Sequence, residues 1–452
     1  MTRMNLSQIK QLFAKHKIDK VKLGGFDIDG VLRGKYISLE KFFSAAESGF
    51  GFCDVIFGWD SSDVLYDNVT VTGWHTGYPD TPARIDLSTF RLLPWEEKTA
   101  FFLVDFFTKD GAPLGISPRQ VLRRVVERAE SAGFVPKTAV EYEFFLFRED
   151  PQATREKRYR DMVPLSPGMF GYSFLRASVH SDLAHDILDT TRAMGMELEG
   201  FHTETGPGVY ETAIHYGNAL EAADKAALFK TVVKIVAQRR GLMATFMAKW
   251  NPHLPGCSGH VHGSLAGKRT KKNLFYDARS EGRMSKLMRQ YLAGQLAVMR
   301  EFAVLCCPTV NSYKRTVPGT WAPTNVTWGA DNRTTALRAI VDGPKSTRIE
   351  NRLAGADANA YFAVAASLAS GLYGIDNGLE PPEPTANAYE SDAPPLPRSL
   401  EEAAALFRHS AAAREYLGEE FVEHYAATRE WELGQFRRAV TDWELERYFE
   451  VI

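Results

Sequence analysis

Apolar and polar positions alternate differently in two parts of the chain. Leu6, Ile9 and Phe13 recur at helical spacing and predict a short amphipathic helix at the start. The run VKLGGFDIDGVLRGKYIS (21–38) then alternates as two strands around an Asp29-Gly30 turn. Strand-like runs continue through 85–95 and 100–107, so a small β-rich domain is expected over 1–110. Beyond it the period changes. Ser117-Pro118 opens a helix with Val121, Leu122, Val125, Val126 and Ala129 on one face, and Gly133 closes it. The strand VEYEFFLF (140–147) and a polar loop over 148–169 follow, then helices near 181–194 and 218–240. Strands carrying HTETGPGVYE (202–211) and GHVHGSL (259–265) surround the second of these helices. Asp357 is expected to cap the apolar helix 358–375, which ends near Gly374. A Pro-rich connector (381–397) then leads into C-terminal helices. The fold class is therefore α+β, with domains at 1–110 and 111–452.

Bulk composition narrows the function. The 452 residues, 44% hydrophobic, suffice for one large or two smaller cores. A formal charge of -2 argues against a nucleic-acid or membrane-surface role. Four cysteines at irregular spacing do not form a secreted disulfide framework, and Cys306-Cys307 read as core residues. With no secretory signal and no membrane-length apolar run, a cytoplasmic, soluble protein is expected.

The stretch 311–352 concentrates chemistry. Arg315, Arg333, Arg338, Arg348 and Arg352 are interleaved with Trp321, Val326, Trp328 and Leu337, and Glu350 sits between the last two arginines. Arginine binds phosphates and carboxylates bidentately, so a folded platform of five suggests an anion site rather than a solvated basic face. Upstream, Glu141 and Glu143 lie two apart on a strand and share one face, about 7 Å apart at the backbone. Two carboxylates on an otherwise apolar strand call for a cation, unless that face is simply wet. Glu204 and Glu211 bracket a Gly-Pro-Gly turn, and His260 and His262 share a strand face. The histidines are either metal ligands or a hydrogen-bonded pair. Five glutamates with a histidine and little sulfur favour Mg2+ or Mn2+ over structural zinc. Such ions beside an arginine platform describe phosphoryl transfer, yet the chain has neither a GxxxxGK[ST] loop nor a protein-kinase motif set.

In their order, VEYEFFLF, TETGPG-x-YE, SGHVHGSL, NSYKR-x-VPG, NRTTALR and RIENRLAGADANAYFAVAASLASGL resemble the glutamine synthetase family over nearly the whole chain. The resemblance implies a β-grasp N-terminal domain (1–110) and a catalytic domain (111–452) with a curved antiparallel sheet. It implies an oligomer, two stacked hexamers with active sites between neighbouring subunits. It also implies metal sites of Glu143, Glu204 and Glu211, and of Glu141, His260 and Glu350. Arg315 and Arg352 match residues that hold the glutamate carboxylate. Arg333, Arg338 and Arg348 match those around the ATP phosphates, and His202, His262, Ser264 and Lys345 match nucleotide contacts. Asp60 lies near where a neighbouring subunit supplies a catalytic aspartate, and Tyr172 near the ammonium-site tyrosine. The implied reaction activates the glutamate γ-carboxylate with ATP as an acyl phosphate, which an amine then displaces.

Three positions depart from that family. Where ammonium-using members carry a flap glutamate before Ala-Pro, this chain has Trp321, which offers a broad π surface and no proton acceptor. Gly256-Cys257 stand where Asn-Gly is usual, with Cys257 a candidate substrate contact, and Val209 replaces a common Gln. The expected acceptor is therefore a small organic amine with an apolar body, and the expected product a γ-glutamyl amide. Asp60, Asp63 and Asp67 keep a polyamine acceptor open. An ammonium-dependent glutamine synthetase, a catalytically silent structural member and, from Gly256-Cys257, a ligase of an acid other than glutamate are the competing readings of the same motifs. Tyr389 lies near a segment that some members adenylylate, but its NAYES context supports no regulatory assignment.

Overall fold

The computed structural model describes residues 4–452 and builds two sheets. The smaller runs Leu32–Ile37, Lys20–Phe26, Thr99–Phe106, Asp80–Ile85, Phe50–Cys53 from edge to edge, and Arg91–Leu92 adds to Thr99–Phe106. Lys20–Phe26 and Thr99–Phe106 pair in parallel, and the latter is buried along its whole length. The helices Leu6–His16 and Leu39–Ser48 accompany this sheet, and Phe13, Phe42 and Phe102 pack together with ring centroids about 5–6 Å apart.

The larger sheet is ordered Trp328–Ala330, Leu337–Ile340, Arg348–Asn351, Val261–Gly267, Phe134–Phe147, Val209–Ile214, Leu198–Thr203. Short strands Gly217–Asn218 and Met243–Thr245 also pair with Phe134–Phe147. It is antiparallel except that Trp328–Ala330 runs parallel to Leu337–Ile340. Helices Pro118–Ser131, Ala219–Arg239, Lys286–Ala297 and Ala360–Asp376 flank it. Ala360–Asp376 is apolar nearly all round and almost wholly buried, as such a helix must be. A Cβ on Gly294 would come within 2.3 Å of the Gly374 nitrogen, so glycine lets the helices Lys286–Ala297 and Ala360–Asp376 touch backbone to backbone.

Local details differ from the sequence reading. The cap of Ala360–Asp376 is Asn359, whose side chain accepts from the Tyr361 N–H. Asp357 instead accepts from the Ser312 hydroxyl at 2.5 Å. Gly374 lies inside the helix rather than ending it, because the contact with Gly294 needs it there. The polar stretch 148–169 contains a short helix, Pro151–Glu156, capped by Asp150. No helix among the described residues is long and apolar enough to cross a membrane.

Candidate active site

The register of the large sheet assembles the charged residues. Phe134–Phe147 turns Tyr142 and Phe144 into the core and Glu141 and Glu143 to the other face. Glu143 pairs across to Glu211, and Glu211 to His202. On the other side of the same strand, His262 pairs with Glu350 and Glu350 with Arg338. Two rows of ionisable side chains thus come from segments that are distant in sequence.

Within these rows stand two groups of three donors, each with ligand atoms within 4.8 Å of one another: Glu141, His262 and Glu350, and His202, Glu204 and Glu211. The expected sets had His260 in the first and Glu143 in the second. His260 remains adjacent, with Nδ1 3.3 Å from Glu350 Oε1 and 3.5 Å from Glu141 Oε2. Glu143 is engaged elsewhere, as Oε2 accepts the Ser258 N–H at 2.6 Å. His202 and His262, expected at the nucleotide, stand among the carboxylates.

The donor set fits a divalent cation. His262 Nε2 lies 3.3 Å from Glu141 Oε1 without a hydrogen bond, and His202 Nε2 is likewise buried with no hydrogen-bond partner among the described residues. Burial, then Glu143, Glu141 and Glu204, push the Glu211 carboxyl up to about 9, the mark of carboxylates crowded without a counter-charge. Burial also works against Glu141, but His262 and His260 outweigh it and hold that carboxyl well below its usual range. Glu350 likewise overcomes its burial through His260, His262 and Arg352, and falls to about 2.

The arginines divide by role. Arg338 spans from Glu350 (Nη1, 3.0 Å) to Asp331 (Nε, 2.9 Å). Arg348 Nε lies 3.1 Å from His262 Nδ1. Arg352 donates to Glu350 and, at 3.4 Å, to the Trp321 carbonyl. Arg315 is buried, donates to the Leu353 carbonyl and leaves Nε unpartnered among the described residues. Arg333 and Lys345 are exposed and form no ion pair among the described residues. Ser264 follows His262 by two on the same strand face. Tyr172 stacks on His202, with centroids 4.3 Å apart.

Two expected residues stand apart. Cys257 has no exposed surface and belongs to the core, so it cannot touch a substrate; Val209 is buried there too. The neighbouring glycine has its own reason: a Cβ on Gly256 would meet the Ala248 carbonyl oxygen at 2.3 Å and Arg315 Cγ at 2.6 Å, so Gly256 lets both approach. Asp60 accepts from the Ser62 and Val64 N–H groups and approaches Trp431, not the carboxylate rows of its own chain.

Trp321 is 64% exposed, at a positive φ of 61°. It lines an open groove of about 730 Å³ with residues 330–334 and Pro384–Ala386. Sequence reasoning missed Asp331 and the Pro-rich wall. Asp331 lay unread inside the arginine stretch, and residues 381–397 looked like a connector only.

A family model described as "Glutamine synthetase, catalytic domain" matches residues 115–448. The chain is 50% identical over 438 residues to "Type-1 glutamine synthetase 2" of Dictyostelium discoideum, covering 96% of this chain and 84% of that one. It is 42% identical to "Glutamate--isopropylamine ligase" of a Pseudomonas species, covering 100% of this chain and 99% of the relative. Among solved structures, a "GmaS/ADP complex" is similar, with a TM-score of 0.85, 27% identity, and 98% and 99% of the two chains covered.

Proposed function

The chain belongs to the glutamine synthetase family and is a carbon–nitrogen ligase, and from that premise we propose that its acceptor is an organic amine rather than ammonium. The observation that carries this is the exposed indole of Trp321, at the edge of a groove where an ammonium-using enzyme presents a carboxylate. The full-length likeness to a ligase named for glutamate and isopropylamine supports it. The 50% identity to a protein named as a glutamine synthetase favours ammonium, and a panel of acceptors separates the two.

ATP transfers its γ-phosphoryl group to a γ-carboxylate oxygen of glutamate, giving ADP and an acyl phosphate. The amine nitrogen then attacks the acyl carbon, the C–O bond to phosphate breaks, and phosphate leaves with its electron pair. The alkylammonium gives up one proton before attack and a second as the amide forms. Activation is required because a carboxylate is a poor electrophile. Glu141, His262 and Glu350, with His260 beside them, and His202, Glu204 and Glu211, with Glu143 beside them, would hold Mg2+ or Mn2+. A divalent ion there supplies positive charge against phosphate oxygens. Arg333, Arg338 and Arg348 face the phosphates, with Lys345 and Ser264 on the nucleotide side, and Arg315 and Arg352 take the glutamate carboxylate. Arg338 is held between Glu350 and Asp331, so its guanidinium is oriented before substrate arrives.

Tyr172 closes the amine side of the site. Asp60 would reach it from a neighbouring copy, since in its own chain it stands with Trp431. An assembly of two stacked hexamers is part of the same proposal. The exposed apolar C-terminal side chains Trp443, Leu445, Phe449 and Ile452 are consistent with contact between copies.

Phosphate release from ATP, with Mg2+, glutamate and a panel of acceptors, tests the reading. Turnover with alkyl or aromatic amines at higher kcat/KM than with ammonium is expected. Preference for ammonium would establish a glutamine synthetase, and absence of both turnover and ATP binding a silent member.

A further inference from the structure

Resting on the amine-ligase reading, we propose that the groove beside Trp321 holds the tail of the acceptor, and that it selects a monoamine with a neutral tail over a diamine or polyamine.

The groove is a built feature. Its far wall, Pro384–Ala386, is tied to the main sheet by the Thr385 N–H on the Trp328 carbonyl (2.8 Å). The Trp328 indole also donates to the Pro382 carbonyl at 2.7 Å. Asn332 fastens wall to floor: its amide donates to the Thr385 and Ala386 carbonyls at 3.0 and 2.8 Å. Its oxygen accepts from the Thr334 N–H and hydroxyl. Asn332 is thus spent on structure and has little left for a ligand. Opposite, the left-handed backbone at Trp321 presents the indole to the groove. An alkyl or aryl tail entering there meets indole, Ala330, Pro384 and Ala386.

Charge decides between tails. Among the described residues, Asp331 is the only carboxylate lining the groove; Glu383 is adjacent in the chain but does not line it. Asp331 is already neutralised by Arg338 through Nε and Nη2. Those two bonds and the one to Glu350 use three of the five guanidinium N–H groups, so a phosphate can reach the other two without freeing Asp331. Arg333, also in the lining, has no carboxylate partner among the described residues. A second ammonium at the end of the tail would therefore bring a charge to a lining with no free carboxylate, which acts against binding. A methyl, hydroxyl or phenyl end would not.

Butylamine and putrescine (1,4-diaminobutane) share a chain length and differ in the terminal ammonium, so they isolate this effect. The full-length enzyme should show a kcat/KM for butylamine at least about tenfold above that for putrescine. Ala386→Glu adds a carboxylate to the exposed wall and should move the ratio about tenfold toward putrescine, with KM for ATP and glutamate unchanged. Pro384→Glu, on the same wall, serves if Ala386→Glu does not fold. Putrescine matching or exceeding butylamine in the unmodified enzyme would overturn the inference while leaving the amine-ligase reading standing. A ratio untouched by the added carboxylate would show that the tail lies elsewhere, and overturn it as well. Ammonium preferred over both amines would remove the reading on which it rests.

Discussion

At Trp321 a bulky side chain sits at φ 61°, a conformation that costs a non-glycine residue on the order of 1 kcal/mol or more. Its side chain is largely exposed and so contributes little packing in return. Strain without local compensation points to function. Trp321→Glu should lower kcat/KM for amines with apolar bodies by about three- to tenfold, the worth of one aromatic contact, and raise relative use of ammonium. Trp321→Asn, which tolerates the left-handed region, should leave the thermal midpoint unchanged or higher. Unchanged acceptor preference in Trp321→Glu would make the indole an idle surface group. The residue scale also shows what a sequence can carry. Trp321 was legible because its flanking VPG and AP fix its position. Cys257 was misread because position along the chain does not say which way a side chain turns. Asp331 was missed because its meaning is a tertiary one, the ion pair with Arg338.

Strand periodicity made the carboxylates legible. A period of two puts Glu141 and Glu143 on one face whatever the rest of the fold does. It could not say which histidine of His260-Val261-His262 joins which glutamate, since that depends on the register of Val261–Gly267 against its neighbours. The register of Phe134–Phe147 against Val209–Ile214 opposes Glu143 and Glu211 directly, a pairing that is destabilising unless a cation intervenes. Glu211→Gln should therefore leave the metal-free protein at least as stable as the parent, because it removes a carboxyl whose affinity for its proton is pushed up to about 9 by burial and by its neighbours. It should also weaken Mn2+ binding by about tenfold or more, since even residues behind a ligand are worth that much. Thermal melts with and without Mn2+ check both halves. A lower midpoint without metal would overturn the repulsion at Glu211, and an undiminished shift with it would exclude Glu211 from the cation site.

Across the whole molecule, Arg119 joins the two sheets. It lies buried on the helix Pro118–Ser131 and reaches Asp224 on Ala219–Arg239 (Nε, 2.9 Å) and Asp105 on Thr99–Phe106 (Nη1, 2.7 Å). Nη2 meets Asp86 at 2.8 Å, and the Tyr361 hydroxyl donates to Asp224 at 2.7 Å. Burial opposes the guanidinium charge, but Asp224 and Asp105 outweigh it and hold its proton more firmly than usual. None of this was visible in the sequence, where Arg119 and Asp224 lie 105 residues apart in ordinary amphipathic helices. Arg119→Met should cost about 3–5 kcal/mol, because it strands buried aspartates rather than because the ion pairs are strongly favourable in themselves. Asp224→Asn alone leaves Arg119 its other two aspartates and should cost less. In the double variant the losses should fall short of their sum by roughly 1–3 kcal/mol. Urea unfolding at one fixed protein concentration measures all three, since any assembly of copies would make the midpoint concentration-dependent. Additive losses would mean that Arg119 and Asp224 act independently, leaving Asp105 and Asp86 as the partners through which Arg119 joins the small and large sheets.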